Sequence, residues 1–122
     1  MKYKISVEKS FSSAHYLRNY KGKCENLHGH NWKVSVTFFG DKLDDVGMLI
    51  DFANVKIHLH KIIKILDHNL LNKINPFDKI NPTSENIAAF IFERFKCLET
   101  KNVKIYEVKI WESESSSATI MA

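Results

Sequence analysis

No stretch of the 122-residue chain comes near the ~20 consecutive apolar residues of a membrane-spanning helix, which excludes a role built on helical membrane spans. Cysteine is scarce: Cys24 and Cys97 are the only two and lie far apart. A disulfide framework is therefore not expected, and both read as free thiols of a reducing compartment. The first residues, Met1-Lys2-Tyr3-Lys4-Ile5-Ser6, alternate charged and apolar side chains and lack the apolar core of a secretory signal, so the expected location is cytoplasmic. No linker and no internal repeat divides the chain. Charge of one sign is in short supply too. A net charge of +4 and a pI of about 9.0 suit an anionic small molecule as well as a weak nucleic-acid binder. The lysines are dispersed and form no basic, aromatic-studded motif, so nucleic acid is not an expected partner.

What is present is an ordinary globular composition, with 44% hydrophobic and 26% charged residues, enough for one domain over 1–122 and one core. Only the polar tail Ser113-Glu114-Ser115-Ser116-Ser117 suggests disorder. Tyr3 to His15 reads as a strand, because Tyr3, Ile5 and Val7 alternate with Lys4, Ser6 and Glu8. The alternation falters at Lys9-Ser10, where a bulge is expected. A second strand is predicted from His28 to Phe39, with Trp32, Val34, Val36 and Phe38 on its apolar side. Phe52, Val55, Leu59, Ile62, Ile63 and Leu66 then recur at steps of three and four, one face of a helix that Asp51 caps. A second helix starts at Thr83 or Ser84 and carries Ile87, Ile91, Phe95 and Leu98 on one face. Alternation returns from Val103 to Glu112, with Tyr106, Val108, Ile110 and Glu112 sharing a face, and a short strand closes the chain near Ala118 to Met121. The order β-β-α-α-β-β is an α+β arrangement: an antiparallel sheet with two helices on one face. Its other face and its edges are left open, which oligomerisation would cover.

The six histidines are not equivalent. His28-Gly29-His30 begins a strand, where residues i and i+2 point to one face about 6.6 Å apart along the chain, so two imidazoles can converge on one ion. Gly29 between them would let the backbone approach whatever binds. His15, at the end of the neighbouring strand, is the candidate third ligand. Three nitrogen donors suit zinc and leave a fourth position open, as in a catalytic site. The alternative is a structural site closed by Cys24. His58-Leu59-His60 has the same spacing on a helix, where the two rings diverge by about 200°, and both read as surface residues among Lys56, Lys61 and Lys64. Cys24 sits in a polar loop beside lysines, where a lowered pKa and a reactive thiolate are expected, whereas Cys97 reads as an inert core thiol. Asp67-His68 follows the first helix; near Cys24 it would make a proton relay.

The run Cys24-Glu25-Asn26-Leu27-His28-Gly29-His30, preceded by Phe11-Ser12-Ser13-Ala14-His15, resembles the 6-pyruvoyl-tetrahydropterin synthase family. Within it, the nearest likeness is to the bacterial 6-carboxy-tetrahydropterin synthases of the queuosine pathway. The resemblance continues in order through Gly47 to Phe52, Leu66 to Asn72, Asn81 to Asn86 and Val108 to Ser113. It implies the tunnelling fold, a barrel of protomers joined edge to edge, usually a homohexamer of two trimers. It implies Zn2+ held by His15, His28 and His30, with Cys24 as the proton-transferring base. Asp67 and His68 would be its relay, reaching in from a neighbouring subunit. Glu112 would anchor the pterin ring and belong to the catalytic charge network, and Thr83, Ser84 and Glu85 would line the pterin pocket.

The implied substrate is 7,8-dihydroneopterin triphosphate, which the carboxy branch cleaves with release of acetaldehyde and triphosphate, so the expected activity is that of a lyase without a redox cofactor. Glu25 beside Cys24 matches a variant branch that makes 6-hydroxymethyl-dihydropterin for folate. A 6-pyruvoyl product is the other alternative. From a different class, the chain would be a zinc-stabilised binding module. Arg18, Lys21 and Lys23 are candidates for the triphosphate, against a solvated basic loop.

Overall fold

The computed structural model describes every residue except Met1, Lys23 and Cys24. Four strands and two helices follow in the order β1 (Tyr3–His15), β2 (His28–Gly40), α1 (Phe52–Leu66), α2 (Ser84–Phe95), β3 (Lys104–Ser113) and β4 (Ser116–Met121). The strands form one antiparallel sheet in the order β1-β2-β3-β4. β1 and β2 stay in register from Tyr3 opposite Gly40 to His15 opposite His28. No bulge interrupts them at Lys9-Ser10. Lys9 keeps the inward phase and is half-buried, so a polar residue at one inward position, not an extra residue, breaks the alternation.

The sheet's inner face carries Val7, Phe11, Trp32, Val34, Val36, Phe38, Val108 and Ile110 against Val55, Leu59 and Ile62 of α1 and Ile87 and Ile91 of α2. Asp51 caps α1 by accepting from the Ala53 N–H, and Thr83 caps α2 by accepting from Asn86, each satisfying a donor the helix leaves free. Phe52 is on the apolar face by spacing but stands in the first turn of α1 at 50% exposure. Among the described residues, no helix is long and apolar enough to cross a membrane.

β3 does contain a bulge. Its register on β2 shifts between Thr37 opposite Glu107 and Phe38 opposite Ile105, leaving Tyr106 as the extra residue. The buried positions are accordingly Val103 and Ile105 before it and Val108 and Ile110 after it. Tyr106 does not share the face of Val108; its ring meets Phe39 and the Lys4 ammonium. The serine-rich segment is ordered as the tight turn joining β3 to β4. Cys97 is exposed, in a short 3-10 turn after α2, and is not part of the core.

Candidate metal centre

Antiparallel pairing brings the end of β1, the start of β2 and the end of β3 to one end of the sheet. His15 faces His28 and Ser13 faces His30 across the first ladder, and Glu112 lies two residues beyond the Val34–Ile110 pair of the second. All four ionisable side chains have the inward phase. His15 is buried, with its side chain 2% exposed, and those of His30 and Glu112 are 23% and 29% exposed. Beneath them lies Trp32, fully buried, whose ring meets His15 and His30 edge-on at centroid distances of 4.9 and 5.0 Å. Its indole N–H donates to the Ser13 carbonyl at 3.2 Å, so this floor is anchored to β1 as well as packed. Gly29 has the opposite phase and faces away from the site. A Cβ there would meet only the Ser13 carbonyl at 3.9 Å, so close approach to a ligand is not what the glycine provides.

The hydrogen bonds define the tautomers. His15 Nδ1 lies 2.8 Å from the Pro82 carbonyl and His28 Nδ1 2.7 Å from the Asn26 carbonyl. A carbonyl only accepts, so both Nδ1 atoms carry protons and both Nε2 lone pairs are turned inward. Those two nitrogens are 3.1 Å apart. His30 Nε2 is buried and has no hydrogen-bond partner, although Glu112 Oε1 lies 3.1 Å from it. Two facing lone pairs and an orphaned buried nitrogen are costly alone, and one cation would satisfy them together. Burial pushes both His15 and His30 below the ordinary histidine value of 6.5, against the opposing pull of the Pro82 carbonyl on His15 and of Glu112 on both. They are thus kept neutral, the form that ligates metal. The donor atoms of His15, His28, His30 and Glu112 all lie within 4.8 Å of one another, and the residues fit a divalent ion that accepts nitrogen and oxygen.

Two asparagines missing from the sequence-based assignment hold this arrangement. Asn72 accepts from the Tyr16 N–H at 3.0 Å and donates to the Tyr16 carbonyl at 2.9 Å. Asn81 does the same for Arg18, at 2.8 and 3.0 Å. The paired amides act as a surrogate strand for the chain leaving His15. Arg18 directs its guanidinium at the carbonyls of Phe77, Ile80 and Asn72. The available signal was an asparagine within an otherwise apolar stretch, Leu70-Leu71-Asn72.

The other candidates are dispersed. Thr83, Ser84 and Glu85 form the N-terminus of α2 directly after Pro82, next to His15, with Glu85 exposed. Asp67 accepts from the Ser12 N–H at 2.9 Å and from His68 Nδ1 at 3.0 Å, and these bonds hold its carboxyl below the usual carboxylate range. The pair lies along the outer edge of β1, where the Ala14 N–H also bonds the Asn69 carbonyl, and the His68 side chain is 81% exposed. Neither residue joins the histidine cluster within one chain. The assignment of Cys24 lies outside the described residues. His58 is half-buried, its Nε2 donating to the Arg94 carbonyl at 2.6 Å, and is more than a surface residue; His60 is exposed.

The sequence profile described as 6-pyruvoyl tetrahydropterin synthase matches residues 4–122. The chain is 38% identical to the 6-carboxy-5,6,7,8-tetrahydropterin synthase of Synechocystis sp., over 93% of this chain and 89% of that protein. It is 36% identical to the dihydroneopterin monophosphate aldolase of Pyrococcus furiosus, over 92% and 91%. Among solved structures, the Caenorhabditis elegans 6-pyruvoyl tetrahydropterin synthase superposes with a TM-score of 0.86 at 30% identity, covering 100% of this chain and 96% of that one.

Proposed function

The chain belongs to the 6-pyruvoyl tetrahydropterin synthase family, with its tunnelling fold and its lyase chemistry, and on that premise we propose that it is a zinc-dependent 6-carboxy-5,6,7,8-tetrahydropterin synthase. In this reading it converts 7,8-dihydroneopterin triphosphate and one water into 6-carboxy-tetrahydropterin, acetaldehyde and triphosphate. The observation that carries the metal part is the 3.1 Å approach of the His15 and His28 Nε2 atoms, each with its Nδ1 committed to a carbonyl. Support for the branch comes from the carboxy synthase names among relatives at 35–38% identity.

His15, His28 and His30 would hold the ion, and zinc would supply Lewis acidity to the side-chain hydroxyls of the substrate. Cys24 takes and returns protons between side chain and ring. Glu112 accepts two parallel hydrogen bonds from the pterin amino group and ring N–H, which fixes the ring over the reacting side chain. Thr83, Ser84 and Glu85 line the ring's pocket from the start of α2. Asp67 and His68, on the outer edge of β1, serve the site of a neighbouring copy, so the working unit is a homo-oligomer, six in the expected barrel. Light scattering should then give a multiple of the 14.2 kDa chain mass.

The second reading is a hydroxymethyl-forming enzyme. It is favoured by the likeness to the Pyrococcus furiosus aldolase and by Glu25, an exposed carboxylate in the loop beside Cys24. Chromatography of the pterins formed from dihydroneopterin triphosphate tests both. The expected result is mainly 6-carboxy-tetrahydropterin with a minor hydroxymethyl-dihydropterin. Glu25→Gln removes the minor product, and Cys24→Ala keeps its zinc but loses the major one. A dominant pyruvoyl product would overturn the branch. Loss of zinc on Cys24→Ala would instead favour a metal-stabilised binding module.

A further inference from the structure

We propose that Trp32 is a positioning residue of the metal centre, whose indole ring sets the separation of His15 on β1 and His30 on β2. This rests on the reading that His15, His28 and His30 hold the ion. Two of those ligands have an outer partner on Nδ1, the Pro82 carbonyl for His15 and the Asn26 carbonyl for His28. Such partners fix the direction in which an imidazole offers its other nitrogen. Among the described residues no carbonyl does this for His30, so its ring depends on the surfaces packed against it.

Trp32 supplies that surface to His30 and His15 together. The three rings form a nearly equilateral triangle. Their centroids are 4.9 Å (His15 to Trp32), 5.0 Å (His30 to Trp32) and 5.1 Å (His15 to His30) apart. The two imidazoles stand at 84° and 76° to the indole plane, the edge-to-face geometry that aromatic rings favour.

The register explains how one side chain reaches both strands. Trp32 pairs with Phe11, whereas His15 lies four residues further along β1, opposite His28. Four residues span ~13 Å of strand, so the indole must lean along the sheet to meet His15. The position it crosses on that face of β1 is Ser13, small and buried. The indole N–H donates to the Ser13 carbonyl at 3.2 Å, and Phe11 stacks on the ring at 6.0 Å with 9° between the planes. The Ser13 hydroxyl is engaged by the Leu66 carbonyl at the end of α1. Small Ser13 and large Trp32 are therefore complementary. A branched side chain at 13 would occupy the space that the indole crosses.

The test uses the full-length protein, stripped of metal and reloaded with zinc or cobalt(II), without substrate. Trp32→Phe keeps an apolar ring but loses the N–H and the reach. It should weaken zinc binding in a chelator competition by the ~10–100-fold that loss of an outer-shell partner costs, and should change the visible cobalt bands. Phe38→Leu, fully buried towards the other end of β2, should lower stability and change neither. Ser13→Ala and Ser13→Val both lose the hydroxyl, but only the second fills the space beneath the indole. Only Ser13→Val should therefore weaken zinc binding and move the cobalt bands, and this pair decides even where Trp32→Phe does not fold. Unchanged zinc affinity and cobalt bands in Trp32→Phe would overturn the proposal and leave the three-histidine centre standing. So would equal zinc affinities for the two Ser13 variants, or a Phe38→Leu variant that loses as much affinity as Trp32→Phe. A wild type that binds neither metal would remove the centre and the proposal together.

Discussion

The chain contains His-x-His twice, once at the start of β2 and once in the middle of α1, and the two copies have different fates. On the strand, His28 and His30 point the same way, their ring centroids 4.7 Å apart, and His15 comes within 4.6 and 5.1 Å of them from β1. On the helix, the rings diverge. His58 ties α1 to the end of α2 through the Arg94 carbonyl and packs edge-on against Phe95, while His60 points to solvent. Identical spacing gathers candidate metal donors in one place and makes a packing contact in the other. The period of the backbone decides, not the motif.

Alanine substitutions break the comparison most sharply. His28→Ala removes a donor from the cluster, and with the ion several kcal/mol of transition-state stabilisation are lost, so kcat should fall by at least ~1000-fold. His58→Ala removes one hydrogen bond and an aromatic contact, and should cost about 1–2 kcal/mol in denaturant unfolding while leaving zinc content and kcat near wild type. Equal loss of activity in both variants would mean that the helical pair is functional too.

A smaller effect tests what holds His15. Asn72→Ala leaves the Tyr16 N–H and carbonyl without partners in a site where Asn72 is 5% exposed. It should cost about 1–3 kcal/mol of stability. It should also weaken zinc binding by ~10–100-fold, since it loosens a ligand without removing it. Asn69→Ala, which frees only exposed bonds to the Ile65 and Asp67 carbonyls, should leave zinc affinity unchanged. If the two variants bind zinc alike, the paired amides are not what positions the ligand.

The contrast between Asn72 and His28 also shows what the sequence made legible. Strand periodicity alone put His28 and His30 on one face, and the end of an antiparallel neighbour made His15 the natural third. The caps at Asp51 and Thr83 and the strand β1 were readable for the same local reason. The bulge at Tyr106 was not, because an extra residue in a ladder leaves no mark in composition and reverses the phase of what precedes it. Gly29 was misread because its phase, opposite to its neighbours, turns it away from the site. Cys97 was misread because helix α2 ends before it, and a short 3-10 turn exposes the thiol. The amide clamps of Asn72 and Asn81 join residues more than fifty positions apart, side chain to backbone, and no local pattern predicts such a pair.

The smallest predicted effect is on pH. Because burial holds His15 and His30 below 6.5 in the folded metal-free protein, the unfolded chain binds more protons as pH falls past that value. Stability contributed by these neutral rings is present above 6.5 and is lost on going down. Thermal unfolding of the metal-free protein should therefore show Tm falling between about pH 7 and 5, above the range in which ordinary carboxylates titrate. A metal-free His15→Asn/His30→Asn double variant should flatten that slope. His60→Asn, at an exposed site, should not.

X-ray absorption at the zinc edge of the wild-type protein, purified without added metal or chelator, tests the central claim most directly. The account predicts one zinc per chain, with nitrogen or oxygen donors at ~2.0–2.1 Å and no sulfur. Absence of zinc, or a sulfur donor at ~2.3 Å, would contradict it, the latter by making Cys24 a ligand and the centre a closed structural site.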